Sequence, residues 1–328
     1  GTMSSKAGRL SFTQATLSLD AMSGKGNLAL DTSKPVPYVK GDFTLNRLDV
    51  NQYTGSGAAP TSHGASTGAW SNAPIDMSAL RLVNADFDFA VNALEVGGLH
   101  IGRSALAIAL SGGKMKARLK QLALYGGNGT GTIGLDGTSA TPAVALDLKI
   151  DGVQGEPFLT DAAGFTRLSG TARIGVTVTG TGRSQGAIMR SLGGKANISF
   201  TDGAIKGVNL AEIARTIQSA LSGAAMGPGA KTDFAELSGS FAIRNGVAAN
   251  KDLKLLNPFV RLSGAGVFDL GQQTLDYRIE PRAVKSIEGQ GGKHDVAGIG
   301  IPFRIHGPWQ KPSYEPDLSG VVNNAVDD

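Results

Sequence analysis

Residues 104–120, "SALAIALSGGKMKARLK", decide the reading of this chain. Leu106, Ile108 and Leu110 fall at every second position, with Ala105, Ala107 and Ala109 between them. Side chains of a strand point alternately to its two faces, so this spacing predicts a strand with one apolar side. Ser111-Gly112-Gly113 then turns the chain. Met115, Ala117 and Leu119 resume the apolar side opposite Lys114, Lys116, Arg118 and Lys120. The unit is a β-hairpin with one wet face.

The same period of two recurs outward from this hairpin. Val144, Leu146, Leu148 and Ile150 alternate with Ala145, Asp147 and Lys149, and Ile174, Val176 and Val178 alternate with Gly175, Thr177 and Thr179. Ile198 and Phe200 follow, then Leu275, Tyr277 and Ile279, and finally Ile299, Ile301, Phe303 and Ile305. Asp202-Gly203 and Asn245-Gly246 stand between such runs and favour the positive φ angles of tight turns. The expectation is a mainly β fold, with neighbours in sequence paired antiparallel.

Two segments read as helix. Ser184 precedes Ile188, Met189 and Leu192, with Gly193-Gly194 as a stop. Asn209 and Glu212 form a capping pair, and Leu210, Ile213, Ile217 and Leu221 lie on one stripe of a helix over residues 209–222. That stripe needs an apolar partner, so the helix is expected to cover part of the sheet. Residues 55–74 have the Gly/Ser/Ala/Pro composition of a flexible connection. They separate an N-terminal strand segment, 1–54, from a main region, 75–318, and residues 319–328 form a tail.

Composition narrows the function. Aromatic residues make up only 6% of the 328, so the apolar content is chiefly aliphatic, and the 47 glycines suit frequent turns. Thirty-one basic residues against 27 acidic ones leave a formal charge of +4, with no basic block to follow a phosphate backbone; nucleic acid is not an expected partner. The absence of cysteine excludes disulfides, thiol catalysis and thiolate metal sites. No run approaches the roughly 18 apolar residues of a membrane-spanning helix. Gly1-Thr2-Met3 reads as the scar of a cleaved tag.

Several motifs mimic chemistry. Gly182-Arg183-Ser184-Gln185-Gly186 fits the G-x-S-x-G nucleophile elbow, but that elbow belongs to a parallel sheet, whereas Ser184 as a helix cap fits hairpins. Gly129, Gly131 and Gly134 match the dinucleotide fingerprint without the helix that would hold a pyrophosphate, and suit a curved strand better. His63, His100, His294 and His306 are scattered, and Asp86 and Asp88 share a strand's polar side. The expectation is no enzyme, no cofactor and no metal. The row Lys114, Lys116, Arg118 and Lys120 is either a contact for acidic lipid headgroups or protection against edge-to-edge association.

The apolar faces must be covered by a second sheet or by something that is not protein. Here the sequence resembles the AsmA family. "SLGGKANISFTDGAIKGVNLAEIARTI" (191–217) is similar to that family's C-terminal signature. The likeness continues through "FAELSGSFAIRNGVAANKDLKLLNPFVRLSGAGVFDLGQQTLDYRIEP" (234–281) to "GIGIPFRIHGPWQKPSYEPDL" (298–318). Upstream, "LNRLDVNQYTG" (45–55), "WSNAPIDMSALRLVNADFDF" (70–89) and "LYGGNGTGTIGLDG" (124–137) fit the same family.

The resemblance implies a periplasmic protein tied to the inner membrane by an N-terminal anchor that this sequence lacks. It also implies phospholipid carriage along a curved β-groove and a part in outer-membrane assembly, with envelope proteins as further partners. The reading is therefore an elongated, curved, mostly antiparallel sheet forming an open hydrophobic groove. Its expected lining is Leu106, Ile108, Leu110, Val144, Leu146, Leu148, Ile150, Ile174, Val176, Val178, Ile198, Phe200, Ile301, Phe303 and Ile305. The alternative is a closed β-sandwich that binds envelope assembly proteins without carrying lipid.

Overall fold

The computed structural model describes residues 1–19, 22–54, 69–209, 226–258, 260–283 and 302–317. Among them, nineteen strands form one sheet that is curved and open. The chain enters through β1 (Thr2–Lys6), β2 (Arg9–Leu19), β3 (Met22–Asp31) and β4 (Tyr38–Leu45), extended by β5 (Leu48–Asp49) and a single turn of helix, α1 (Asn51–Thr54). It returns as β6 (Asn84–Val91) and β7 (Leu94–Val96), then β8 (Leu99–Ser111), β9 (Lys114–Leu124), β10 (Gly127–Asp136) and β11 (Ala143–Gln154). After helix α2 (Gly155–Ala163) come β12 (Leu168–Thr181), helix α3 (Gln185–Ser191), β13 (Gly193–Val208), β14 (Met226–Arg244), β15 (Val247–Leu256) and β16 (Val260–Asp269). The sheet closes its sequence with β17 (Thr274–Ala283), β18 (Phe303–Pro308) and β19 (Ser313–Pro316).

From β8 to β19 each strand pairs antiparallel with the next, as it does from β1 to β4. The exception lies between these groups. β4 pairs β6 in parallel, Tyr38 opposite Asn84 through Leu45 opposite Val91, and β5 pairs β7 likewise. A parallel pair needs a crossover connection, and residues 50–83 supply it. The strands of residues 1–49 therefore belong to the same sheet as the rest. The closed β-sandwich alternative does not describe the molecule, because the apolar side chains belong to one layer of sheet.

Turn chemistry explains the hairpins. Gly112-Gly113, Tyr125-Gly126 and Asn245-Gly246 all take positive φ at both central positions, as a type I′ turn requires. Asp202-Gly203 behaves differently from the expected turn. Asp202 has φ 50°, but it and Gly203 lie inside β13, where two residues oppose Gly170 of β12 as a bulge. The dipeptide bends the long strand instead of reversing it. Gly129 and Gly131 likewise mark a register shift between β9 and β10. A Cβ at Gly131 would stand 2.2 Å from the Asp147 carbonyl oxygen.

Helix α3 begins where expected, with the Ser184 hydroxyl accepting the Ala187 N–H at 3.2 Å. Helix α2 was not expected from the sequence. It ends at Gly164 in the left-handed region, with N–H bonds from Gly164 to Thr160 and from Phe165 to Leu159. The helix expected over residues 209–222, with Leu210, Ile213, Ile217 and Leu221, lies outside the described residues.

Candidate functional site: an apolar groove

Residues directly opposite in a ladder share a face, so the registers trace rows across the sheet. One row runs Phe43, Phe89, Leu106, Leu119, Gly131, Leu148, Val176, Ala196 and Phe241. It continues through Asn250, Gly266, Tyr277 and Ile305. A second runs Phe87, Ile108, Ala117, Ile133, Leu146, Val178, Gly194 and Ile243. Leu110 and Val144 stand in a third, Ile150, Ile174 and Ile198 in a fourth, and Phe200 meets Ala172 and Leu237 in a fifth. Phe303 sits opposite Ile279. Every described member of the expected lining is on this face; Ile301 lies outside the described residues.

The face is uncovered over much of its length. Val144, Leu146, Leu148, Ile174, Val176 and Val178 are only half-buried. At the N-terminal end, Leu17, Met22, Phe43, Leu45, Leu48, Val50, Phe89 and Ile108 surround a hollow of 380 Å³ with no polar side chain in its wall. Such a surface is costly in water, since covering a Val, Leu or Ile stabilises by about 1.5–3 kcal/mol.

Two short helices clasp the groove at opposite ends of its strands. At the junction of β11 and β12, Phe158 of α2 packs edge-on against Tyr125, ring centres 5.7 Å apart, within a cluster holding Val153, Ala172 and Phe200. Gly155 lets the helix approach: a Cβ there would stand 2.8 Å from the Phe200 ring. Polar ties hold α2 in place. The Tyr125 hydroxyl donates to Asp161 at 2.6 Å, and Lys206 pairs with Glu156 at 2.5 Å. Burial, reinforced by the Asp161 carboxylate, pushes the Tyr125 phenol up to about 12, so it remains a donor at neutral pH.

Between β12 and β13, Ile188 and Met189 of α3 pack with Leu192, Ile243 and Ala248. Residues 69–83 then run along this rim as a strap. Trp70 Nε1–H donates to the Leu270 carbonyl at 2.5 Å, and its ring meets Trp309 edge-on at 6.3 Å. Gly186 N–H donates to Ser71, and Ile75 N–H to Arg183. Composition alone gave no sign of this docking.

The opposite face is polar, and many of its charges are matched across strands. Lys114 pairs with Asp136 at 3.0 Å, Lys120 with Asp88 at 2.6 Å, Arg173 with Asp151 at 2.6 Å, and Arg304 with Asp276 at 2.5 Å. Thr138 hydrogen bonds, then Lys114, draw the Asp136 carboxyl down to about 2. The Asp86 carboxylate accepts from the Tyr38 hydroxyl. The lysine row thus lies on the side away from the apolar groove. Ser184, 8% exposed, is engaged as the α3 cap.

A single open sheet with one predominantly apolar face defines a β-groove protein. Comparison with protein-family models matches residues 6–253 to the AsmA family, and the chain belongs to that family. It is 23% identical over 337 aligned residues to Protein AsmA of Escherichia coli (strain K12), covering 98% of this chain and 54% of that protein. The chain thus spans about half the length of this relative. No solved structure matches it.

Proposed function

We propose that this chain is the periplasmic part of an inner-membrane-anchored envelope protein that carries phospholipids along its groove between the inner and outer membranes, supporting outer-membrane biogenesis. One observation carries the reading: predominantly apolar rows cross the sheet from β4 to β18, and among the described residues no second layer of protein lies over the middle of them. An acyl tail laid along those rows loses contact with water at about 0.8 kcal/mol per CH₂, while its headgroup stays at the open mouth. Similar affinity from strand to strand lets the molecule slide instead of stalling. The mechanism is passive and needs no catalytic residue, cofactor or metal.

Solvent extraction of the gently purified protein, followed by lipid mass spectrometry, tests the proposal. Wild type should yield phospholipid. Leu146→Asp and Val176→Asp should fold, by circular dichroism, yet yield at most a tenth as much. A lipid-free wild type, together with aspartate variants that support the envelope normally, would defeat it. A lipid-free chain that holds a specific envelope protein would instead favour a binding role.

A further inference from the structure

The rims of the groove differ in how their charges are matched. At the α2 rim, Arg47 pairs with Glu95 at 2.7 Å, Lys206 with Glu156 at 2.5 Å, and the His100 ring stands 3.3 Å from Asp161. Arg167, just after α2, has no such carboxylate among the described residues. At the α3 rim Arg81, Arg183, Arg190 and Arg244 are all exposed, and none forms an ion pair among the described residues.

The fold places Arg81, Arg183 and Arg190 along one line. Arg81, in the strap, lies beside the β8–β9 turn, its Cγ 2.8 Å from where a Gly113 Cβ would stand. Arg183 carries the carbonyl that accepts the Ile75 N–H. Arg190 crosses from α3 to the neighbouring turns, its Cα 2.9 Å from the Cβ position of Gly246 and its Cγ 2.6 Å from that of Gly271. Arg244 opens the β14–β15 turn, but it alternates with Ile243 of the apolar face and so belongs to the polar side. Backbone bonds fix the spacing: Gly246 N–H to Leu192 at 2.9 Å and Leu270 N–H to Gly246 at 2.8 Å. Of the carboxylates on this rim, Asp76 feels Arg81, but less than it feels its hydrogen bonds from Ser78. Asp76 accepts from Ser78 N–H and Asp269 from Gln272 N–H, both at 2.8 Å, and Asp136 holds Lys114.

Resting on the lipid reading above, we propose that this arginine line receives the phosphates of the lipids whose tails lie in the groove, so that the headgroups travel on the α3 side. A guanidinium offers paired donors that match phosphate oxygens, and an unpaired one on an ordered rim has the least to give up in binding. Successive hairpin turns stand two strand spacings, roughly 9–10 Å, apart, which sets the steps along the line. Substrates are then phosphate-bearing diacyl lipids, and neutral diacyl lipids with the same tails are discriminated against.

The experiment compares fluorescent-tailed phosphatidylglycerol with a diacylglycerol of identical tails, binding to the whole chain at low salt. Wild type should prefer the phosphatidylglycerol more than tenfold. Changing Arg81, Arg183 and Arg190 together to Gln should reduce the preference below threefold while diacylglycerol binding stays unchanged. Arg103→Gln, Arg118→Gln and Arg261→Gln together, on the polar face, should preserve the preference. The three single variants, each expected to lower it, serve if the combined one does not fold. Equal binding of both lipids by wild type, or a preference that survives the combined change, overturns the inference while leaving the groove intact. Competition by glycerol 3-phosphate as strong as by the lipid also overturns it, as the rim would then serve a soluble anion. Binding of neither lipid sinks the groove reading and this inference with it.

Discussion

Strand β3, near the N-terminal edge, alternates half-buried with exposed residues along its length, whereas β16, deep in the C-terminal half, begins by alternating fully buried with exposed ones. Both carry the same period of two. Leu28 in β3 is half-buried, whereas Leu262 is 6% exposed and, under α2, Ala172 and Phe200 are 0% and 2% exposed. Period is a property of the strand; depth is a property of what curls or packs over it. The N-terminal strands border a hollow, whereas the strand ends around β12 and β13 are clasped by α2 and α3. Stability should therefore be concentrated where α2 and α3 sit, and vacancy where they do not.

Truncation should expose this contrast most strongly. Phe200→Ala should cost about 3–5 kcal/mol, because it removes a ring from a packed cluster and leaves a cavity. Leu28→Ala, at a half-buried site, should cost less than about 2 kcal/mol. Urea unfolding of the two variants reads the difference, and equal losses would break the comparison. Ser184→Ala should destabilise by about 1 kcal/mol by uncapping α3, measured the same way.

A smaller effect should run in the opposite direction. Tyr277 is 4% exposed, and its hydroxyl has no hydrogen-bond partner among the described residues. Burial pushes its phenol well above the ordinary tyrosine range. Removing the stranded oxygen with Tyr277→Phe should raise stability by up to about 1 kcal/mol, seen as a higher urea midpoint. The smallest effect belongs to the polar face, under neither helix. Asp136 has a carboxyl lowered from 3.8 to about 2. Its contribution is present above the unfolded value and lost as pH falls through the folded one. Asp136→Asn should therefore flatten the acid limb of the stability profile between those values, lowering stability at neutral pH, where the carboxylate's contribution is fully present, and leaving it unchanged below the folded value.

Much of the groove was legible because face assignment needs only alternation. Leu106, Ile108, Leu146, Leu148, Ile174 and Val176 fall on one side as soon as strand period is recognised, and the Ser184 cap with the Gly193 stop fixed α3. What escaped depended on more than local pattern. Helix α2 had signals, Pro157 in its first turn and Gly164 after its last, but it is short and interrupts a long alternating run. The parallel pairing of β4 with β6 joins segments whose connection says nothing about direction. Asp202-Gly203 announced a positive φ correctly, yet a dihedral does not reveal whether the strand continues. The docking of Trp70 required knowing that Leu270 and Trp309 would be neighbours.

The parallel pairing has a consequence for how the molecule is made. Along most of the sheet a new strand pairs antiparallel with the strand made just before it, so the sheet can zip up largely hairpin by hairpin. β4 must wait, one edge unsatisfied, until the whole of the crossover and β6 have been synthesised. That pause marks the stage of biogenesis at which a nascent chain is most open to mispairing with a neighbour.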